Sequence, residues 1–305
     1  MRFRGILIPL ALLLVAGPAA AQTAEPTITF KSGVDLVSVT AVVRDKKGKV
    51  VRSLSPKDFA VAEDGKTRKI VSVQADASAP ASIAFLVDGS GSMRLGTALE
   101  SSRRICDWLL STLDQKRDDA ALLSFDTRLL TLREFSGSVE HVRAGLQELD
   151  AFGATSIYDA IAGASSIVAN RARNRRAVIV LTDGDDNASS YSAEEVAWIA
   201  STIDVPVYVF AVGDGVNAEA AAANPANLTS PLAELARSTG GDFFIANSPG
   251  LAVAGISRLV DELRHQYLIA FEPSNAQGLR KIEIRTRNAD LRVASRRWYT
   301  GGSAN

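Results

Sequence analysis

From Ser82 onward the chain alternates apolar runs of strand length with amphipathic runs of helix length. This alternation constrains the fold more than any other feature. The strand runs are 83–88, 120–125, 129–135, 178–183, 205–212 and 242–246, and the helical runs are 97–113, 139–149, 156–172, 193–203, 232–238 and 251–266. Strands covered on both faces read as continuous apolar runs, and helices between them carry the chain back for parallel pairing. The pattern therefore predicts an α/β fold: a Rossmann-like, doubly wound, mostly parallel six-stranded sheet flanked by helices. The second and third runs are separated only by a short turn around Asp126-Thr127, too short for a crossover, so they are expected as an antiparallel hairpin at one edge. The only cysteine, Cys106, falls on the apolar stripe of the first helix with Ala98, Leu99, Ser102, Ile105, Leu109, Leu110 and Leu113. A buried structural thiol is expected there, and no intramolecular disulfide can form.

Both sides of this region read as β. Val37, Val39, Ala41 and Val43 alternate with Ser38, Thr40, Val42 and Arg44, the period of a strand with two distinct faces. Residues 45–49 form a turn, and Ser55-Pro56 reads as a one-turn helix start with Ser55 as N-cap. Segments 59–63 and 69–73 flank Asp64-Gly65, a hairpin signal. After residue 266 come short strands at 267–271, 280–286 and 291–294. Neither flank is long enough to bury a good core alone. The α/β domain, 80–266, is therefore expected to be inserted in a small β-sandwich made of 23–79 and 267–300.

The first 21 residues read as a secretory signal: Arg2 and Arg4, a short apolar run at 6–16, then Ala19-Ala20-Ala21 before Gln22. The run is short for a membrane span of ~20 residues, and Pro9 and Pro18 interrupt it. The mature chain is expected to be secreted or periplasmic, with no integral membrane segment after signal cleavage. Lys+Arg and Asp+Glu balance at 34 each, so no basic excess points to nucleic acid.

The first strand run ends in Asp88-Gly89-Ser90-Gly91-Ser92. Asp88, Ser90 and Ser92 present oxygens at the strand's carboxyl end, and Gly89 and Gly91 allow the tight backbone that turns both hydroxyls to one point. Thr155, in Gly153-Ala154-Thr155-Ser156-Ile157-Tyr158-Asp159-Ala160, adds an oxygen at a helix start. Asp183, in Leu181-Thr182-Asp183-Gly184, adds one at the end of another strand run. In open α/β sheets ligands bind at the carboxyl ends of the strands, and hard cations take oxygen ligands. Asp185 and Asp186 could tune the charge of such a site or be solvated loop acids. Asp159 could do the same, or serve as a first-turn acid favoured by the helix dipole. Residues 213–231, rich in Ala and Asn, form a long loop or short helix near the same sheet edge.

These three parts, in this order, resemble the von Willebrand factor type A domain and its metal-ion-dependent adhesion site. The resemblance covers roughly residues 81–265. It implies a divalent cation, Mg²⁺ or else Mn²⁺ or Ca²⁺, held by Asp88, Ser90, Ser92, Thr155 and Asp183. It also implies a protein partner that completes the coordination with an Asp or Glu carboxylate. Segments 50–59 and 61–66 look like those preceding this domain in bacterial secreted proteins with a related domain. If the hydroxyls bind the metal directly and the acids largely through water, the cation keeps charge and favours an anionic ligand from outside. The expected function is an exported, metal-dependent, adhesion-type protein-binding module, with an assembly factor of a cell-envelope complex as the alternative. No enzyme is expected. Ser90 lacks a G-x-S-x-G elbow, and His141 and His265 lie apart from the Asp88 cluster. No zinc motif, phosphate loop or dinucleotide fingerprint occurs.

Overall fold

A computed structural model describes residues 36–172, 175–184, 186–213 and 230–302. The expected leader, Asp185 and most of the 213–231 loop lie outside them. The strands are β1 (Val37–Arg44), β2 (Phe59–Glu63), β3 (Lys66–Arg68), β4 (Ile70–Ala75), β5 (Ala81–Asp88), β6 (Asp119–Phe125), β7 (Leu129–Ser136), β8 (Arg175–Thr182), β9 (Val207–Ala211), β10 (Phe243–Ile245), β11 (Tyr267–Phe271), β12 (Gly278–Thr286), β13 (Arg292–Ser295) and β14 (Trp298–Gly301). The helices are α1 (Ala98–Ser111), α2 (Val139–Gly145), α3 (Ile157–Ala169), α4 (Ala193–Thr202), α5 (Pro231–Ser238) and α6 (Pro249–Arg264).

The six central strands run in the order β10-β9-β8-β5-β6-β7. All neighbours pair parallel except β6 and β7, the antiparallel edge hairpin that the short turn demanded. β5 sits inside the sheet and is buried along its whole length. Ile83, Phe85 and Val87 point to a core that includes Ile105, Leu109 and Leu110 of α1 and Ile256 and Leu259 of α6. Ala84 and Leu86 point to the opposite core, with Ile161 and Val168 of α3, Val196 of α4 and Leu235 of α5. Burying each large apolar side chain contributes roughly 1.5–3 kcal/mol, so a strand apolar on both faces stabilises only where helices cover both. Cys106 lies within the first of these cores and is fully buried.

The flanks form two antiparallel sheets, β13-β1-β11-β4 and β14-β12-β2-β3. β1 pairs with β11 and β13, β4 with β11, and β2 with β12. One small sandwich core results, filled by Val39, Val43, Phe59, Val61, Tyr267, Ile269, Phe271 and Ile284 among others. Two details differ from the sequence reading. The strand returning from Asp64-Gly65 is Lys66–Arg68, whereas Ile70–Ala75 crosses to the other sheet and pairs with β11. A further strand, Trp298–Gly301, pairs with the start of β12. Among the described residues no helix is long and apolar enough to cross a membrane.

Candidate metal centre

β5 delivers Asp88 to the carboxyl end of the sheet, fully buried. Its Oδ1 accepts the Ser90 amide at 2.8 Å, and its Oδ2 accepts the Thr182 hydroxyl at 2.6 Å. The chain then makes a short 3-10 turn, Gly91–Arg94. The Ser90 and Ser92 hydroxyls come within 3.0 Å of each other, and Ser92 Oγ donates to Asp183 Oδ1 at 3.0 Å. Asp88, Ser90, Ser92 and Asp183 are thus one hydrogen-bonded cluster, built from the ends of adjacent parallel strands β5 and β8.

Gly89 is required by close approach. A Cβ there would lie 2.9 Å from the Asp150 carbonyl, 2.9 Å from Ser124 Oγ and 3.2 Å from the Phe125 carbonyl. Gly91 is different: the nearest atom to its hypothetical Cβ is 3.5 Å away, so the tight backbone expected of both glycines rests on Gly89 alone.

The loop carrying Thr155 docks on the same turn. Phe152 N donates to the Gly89 carbonyl at 2.6 Å and Gly91 N to the Gly153 carbonyl at 3.0 Å. Thr155 itself is 3 % exposed. Its amide donates to Asn187 Oδ1 at 2.9 Å, and its carbonyl accepts the Asn187 and Ala188 amides. Its hydroxyl makes no hydrogen bond to the Asp88 cluster among the described residues. Asp186 accepts the Ile157 amide at 2.8 Å and the Ser189 hydroxyl at 2.5 Å, so it caps the start of α3 and is no simple solvated acid. Asp159 accepts the amides of Ser190 and Tyr191, tying down the loop after β8 from the first turn of α3.

The sequence reading passed over Thr182 and Asn187. Thr182 stands one residue before the acid in Leu-Thr-Asp-Gly and faces inward, where its hydroxyl orients Asp88. Asn187 holds Thr155 from a residue 32 positions away. The place of Thr182 at the buried end of β8 was a signal available for the first. Nothing local marks the second.

Burial pushes the Asp88 carboxyl above its usual range, and the neighbouring Asp183 charge adds to that rise. The Thr182 and Ser90 hydrogen bonds oppose it. Among the described residues no Lys or Arg forms an ion pair with either acid. A buried carboxylate without counter-charge is costly, and a cation bound among these oxygens would relieve the cost. Among the described residues no group of three or more His, Cys, Asp or Glu converges on a metal position. The donor set is instead two acids with hydroxyls, the oxygen chemistry of a hard cation and unlike the N/S set of structural zinc. The residues therefore fit a divalent cation such as Mg²⁺. Asp88, Ser90, Ser92, Asp183 and Thr155 would hold it, and it would supply a Lewis-acidic position open to an external oxygen.

Residues 83–185 match the family described as the von Willebrand factor type A domain. No curated protein matches in sequence. Among solved structures, proximal thread matrix protein 1 from the mussel byssus, in a form with a zinc-occupied MIDAS motif, is 20% identical with a TM-score of 0.52. That alignment covers 65% of this chain and 49% of that one, about half the length of the byssus protein. The von Willebrand factor type A protein from Catenulispora acidiphila is 11% identical with a TM-score of 0.51, covering 90% of this chain and 76% of that one. At these identities the structures speak to fold alone, and the sequence match to the von Willebrand factor type A domain spans about a third of the chain.

Proposed function

We propose that the protein is an exported protein-binding module whose cluster at Asp88, Ser90, Ser92, Thr155 and Asp183 holds a divalent cation, Mg²⁺ foremost, and through it receives an Asp or Glu carboxylate of a protein partner. The observation that carries this reading is the pairing of a fully buried Asp88 with Asp183 and two serine hydroxyls, with no basic counter-charge among the described residues. On this reading the chain's own groups have separate tasks. Asp88, oriented by Thr182 and the Ser90 amide, anchors the cluster. The serine hydroxyls and Thr155 offer neutral oxygens that leave the cation under-neutralised, so an anionic oxygen from outside is favoured. Asn187 and Asp186 fix the loop that carries Thr155. No bond-making chemistry is assigned to the site, and the function proposed is adhesion rather than catalysis.

Titration calorimetry of Mg²⁺ and Mn²⁺ into the full chain tests this. One cation per chain is expected, with a gain in Tm that chelator reverses, because a ligand bound only by the native state stabilises it by mass action. Asp88→Asn should abolish the cation-dependent gain yet leave the metal-free protein at least as stable, since it removes a buried negative charge. A variant that is destabilised without metal, in a protein that binds no cation, would mark Asp88 as a purely structural acid.

A further inference from the structure

The two loops that carry Ser92 and Thr155 also carry the most exposed large apolar side chains among the described residues. Leu95 is 74 % exposed and Phe152 57 %, ahead of Leu130 at 52 %. Single apolar residues on a surface are ordinary. These two are set apart by where the backbone holds them. The Leu95 amide donates to the Ser92 carbonyl at 2.8 Å, and the Phe152 amide to the Gly89 carbonyl at 2.6 Å. Both therefore hang from the Asp88-to-Ser92 segment itself. Leu95 stands three residues after Ser92, and Phe152 three residues before Thr155.

Neither side chain belongs to any of the three apolar cores, so core packing does not account for a leucine and a phenylalanine here. They are nevertheless held in place. The Arg94 guanidinium lies over the Phe152 ring, 4.7 Å from its centroid, an attraction of a cation for the ring face. The Gly91 amide donates to the Gly153 carbonyl at 3.0 Å, which ties the turn leading to Leu95 to the loop that carries Phe152. Two apolar groups fixed before a ligand arrives spare that ligand the cost of ordering them. Burial of such groups favours association, and rigid aromatic anchors carry much of the affinity of protein interfaces.

We propose that Leu95 and Phe152 are the apolar half of the face that meets the partner, and that the partner segment bears large aliphatic residues within two positions of the Asp or Glu that reaches the cation. A hard cation accepts any carboxylate oxygen, so the choice among acidic segments falls to these two side chains. Residues next to the acid stand 3.8 Å away along an extended backbone, and those two positions away point to its side. The inference rests on the metal-centred reading above and adds to it which acids are taken.

The test uses the full chain in magnesium and fluorescein-labelled peptides with glycine-serine ends. One peptide has a central aspartate with two leucines on either side. The second has alanines in place of the leucines, and the third has asparagine in place of the aspartate. Fluorescence anisotropy should show the leucine peptide binding about tenfold more tightly than the alanine peptide. Chelator, or the asparagine, should abolish that binding. Leu95→Ser combined with Phe152→Ser should bring the leucine peptide down to the level of the alanine peptide, with the Tm and the calorimetric uptake of magnesium as in the parent chain. Leu279→Ser, at an exposed apolar position in the sandwich, should leave the preference as it was. If calorimetry shows no cation bound, the metal-centred reading itself fails, and this inference with it. If the cation binds, then equal binding of the leucine and alanine peptides, binding of neither, or a preference that survives in the double variant would overturn the role of Leu95 and Phe152 alone.

Discussion

Gly89 and Gly91 flank Ser90 in the same short motif, yet the structure asks different things of them. At Gly89 a methyl group would press on two backbone carbonyls, Asp150 O and Phe125 O, neither of which can move without shifting a strand or the Thr155 loop. Overpacking of this kind costs roughly 1–3 kcal/mol. Gly89→Ala should lower the denaturant midpoint accordingly and weaken cation binding, whereas Gly91→Ala, with no atom closer than 3.5 Å to its Cβ, should alter neither. Calorimetry and urea unfolding of the two variants side by side would decide, and equal behaviour would remove the steric argument. At this scale most of the cluster was legible in the sequence. Asp88, Ser90 and Ser92 lie within five residues, and the glycines between them mark the turn that brings the two hydroxyls together. Thr182 was missed because an acid follows it and draws the chemical reading, although its inward position in a buried strand already required a partner for its hydroxyl. Asn187 and Asp186 were illegible as supports, since their roles depend on how the loop after β8 folds over the start of α3.

The start of α3 shows how an element is placed by residues outside it. Ser156, its N-cap, makes no side-chain capping bond, and the Ile157 amide is satisfied by Asp186 instead. A carboxylate there also complements the positive end of the helix dipole. Losing a cap costs about 1 kcal/mol, so Asp186→Ala should destabilise by that order. It should also loosen Thr155, whose amide is held by the adjacent Asn187, and so weaken cation binding while the secondary structure seen by circular dichroism stays intact. Elements with strong periodicity, the six central strands and the helices between them, were legible because burial on both faces leaves a continuous apolar signature. The sandwich strands were less so. Lys66–Arg68 carries no apolar residue and is a strand only because β2 lies beside it. Trp298–Gly301 is paired to β12 at the far end of the chain order, and a four-residue segment carries too little pattern to show that.

At the scale of the whole molecule, buried acids bind the parts together. Glu63, fully buried in the sandwich, is opposed by burial but accepts hydrogen bonds from Tyr299 and Ser274 and faces Arg68, which together hold its carboxyl below the usual range. Asp118 is likewise opposed by burial, yet the Arg264 guanidinium and the amides of Asp114 and Ala81 keep it low. Each folded pKa is depressed below the ordinary values of about 3.9 for Asp and 4.3 for Glu. Their contribution is therefore present above those values and lost as pH falls through the folded ones. The urea midpoint should be level near neutral pH and fall steeply below about pH 4, and Glu63→Gln should lower the neutral midpoint and flatten the acid limb.

The connectivity of the sandwich leads to a sharper test. β1, β2 and β4 come from the first flank, and each finds its partner among β11, β12 and β13 of the second. The first flank has only the short hairpin of β2 and β3 to itself, and an isolated two-stranded ribbon is marginal in water. The central sheet, by contrast, closes its two cores with helices lying entirely between the flanks. A chain ending at residue 266 should therefore keep a folded α/β sheet while its first flank unfolds. Removing β11 also takes away Tyr267, whose hydroxyl donates to Val51 O at 2.8 Å and whose ring packs on Phe59 at 5.3 Å. The truncated chain further loses Arg296, which bridges Ser38 O at 2.8 Å in the first flank to Ser201 O at 2.9 Å at the end of α4. Hydrogen exchange should show β5 and β8 protected and β1 exchanging at the rate of an unfolded chain. Protection of β1 in that truncated chain would mean that the first flank has a core of its own, and the shared sandwich would no longer account for how the two ends of the sequence depend on each other.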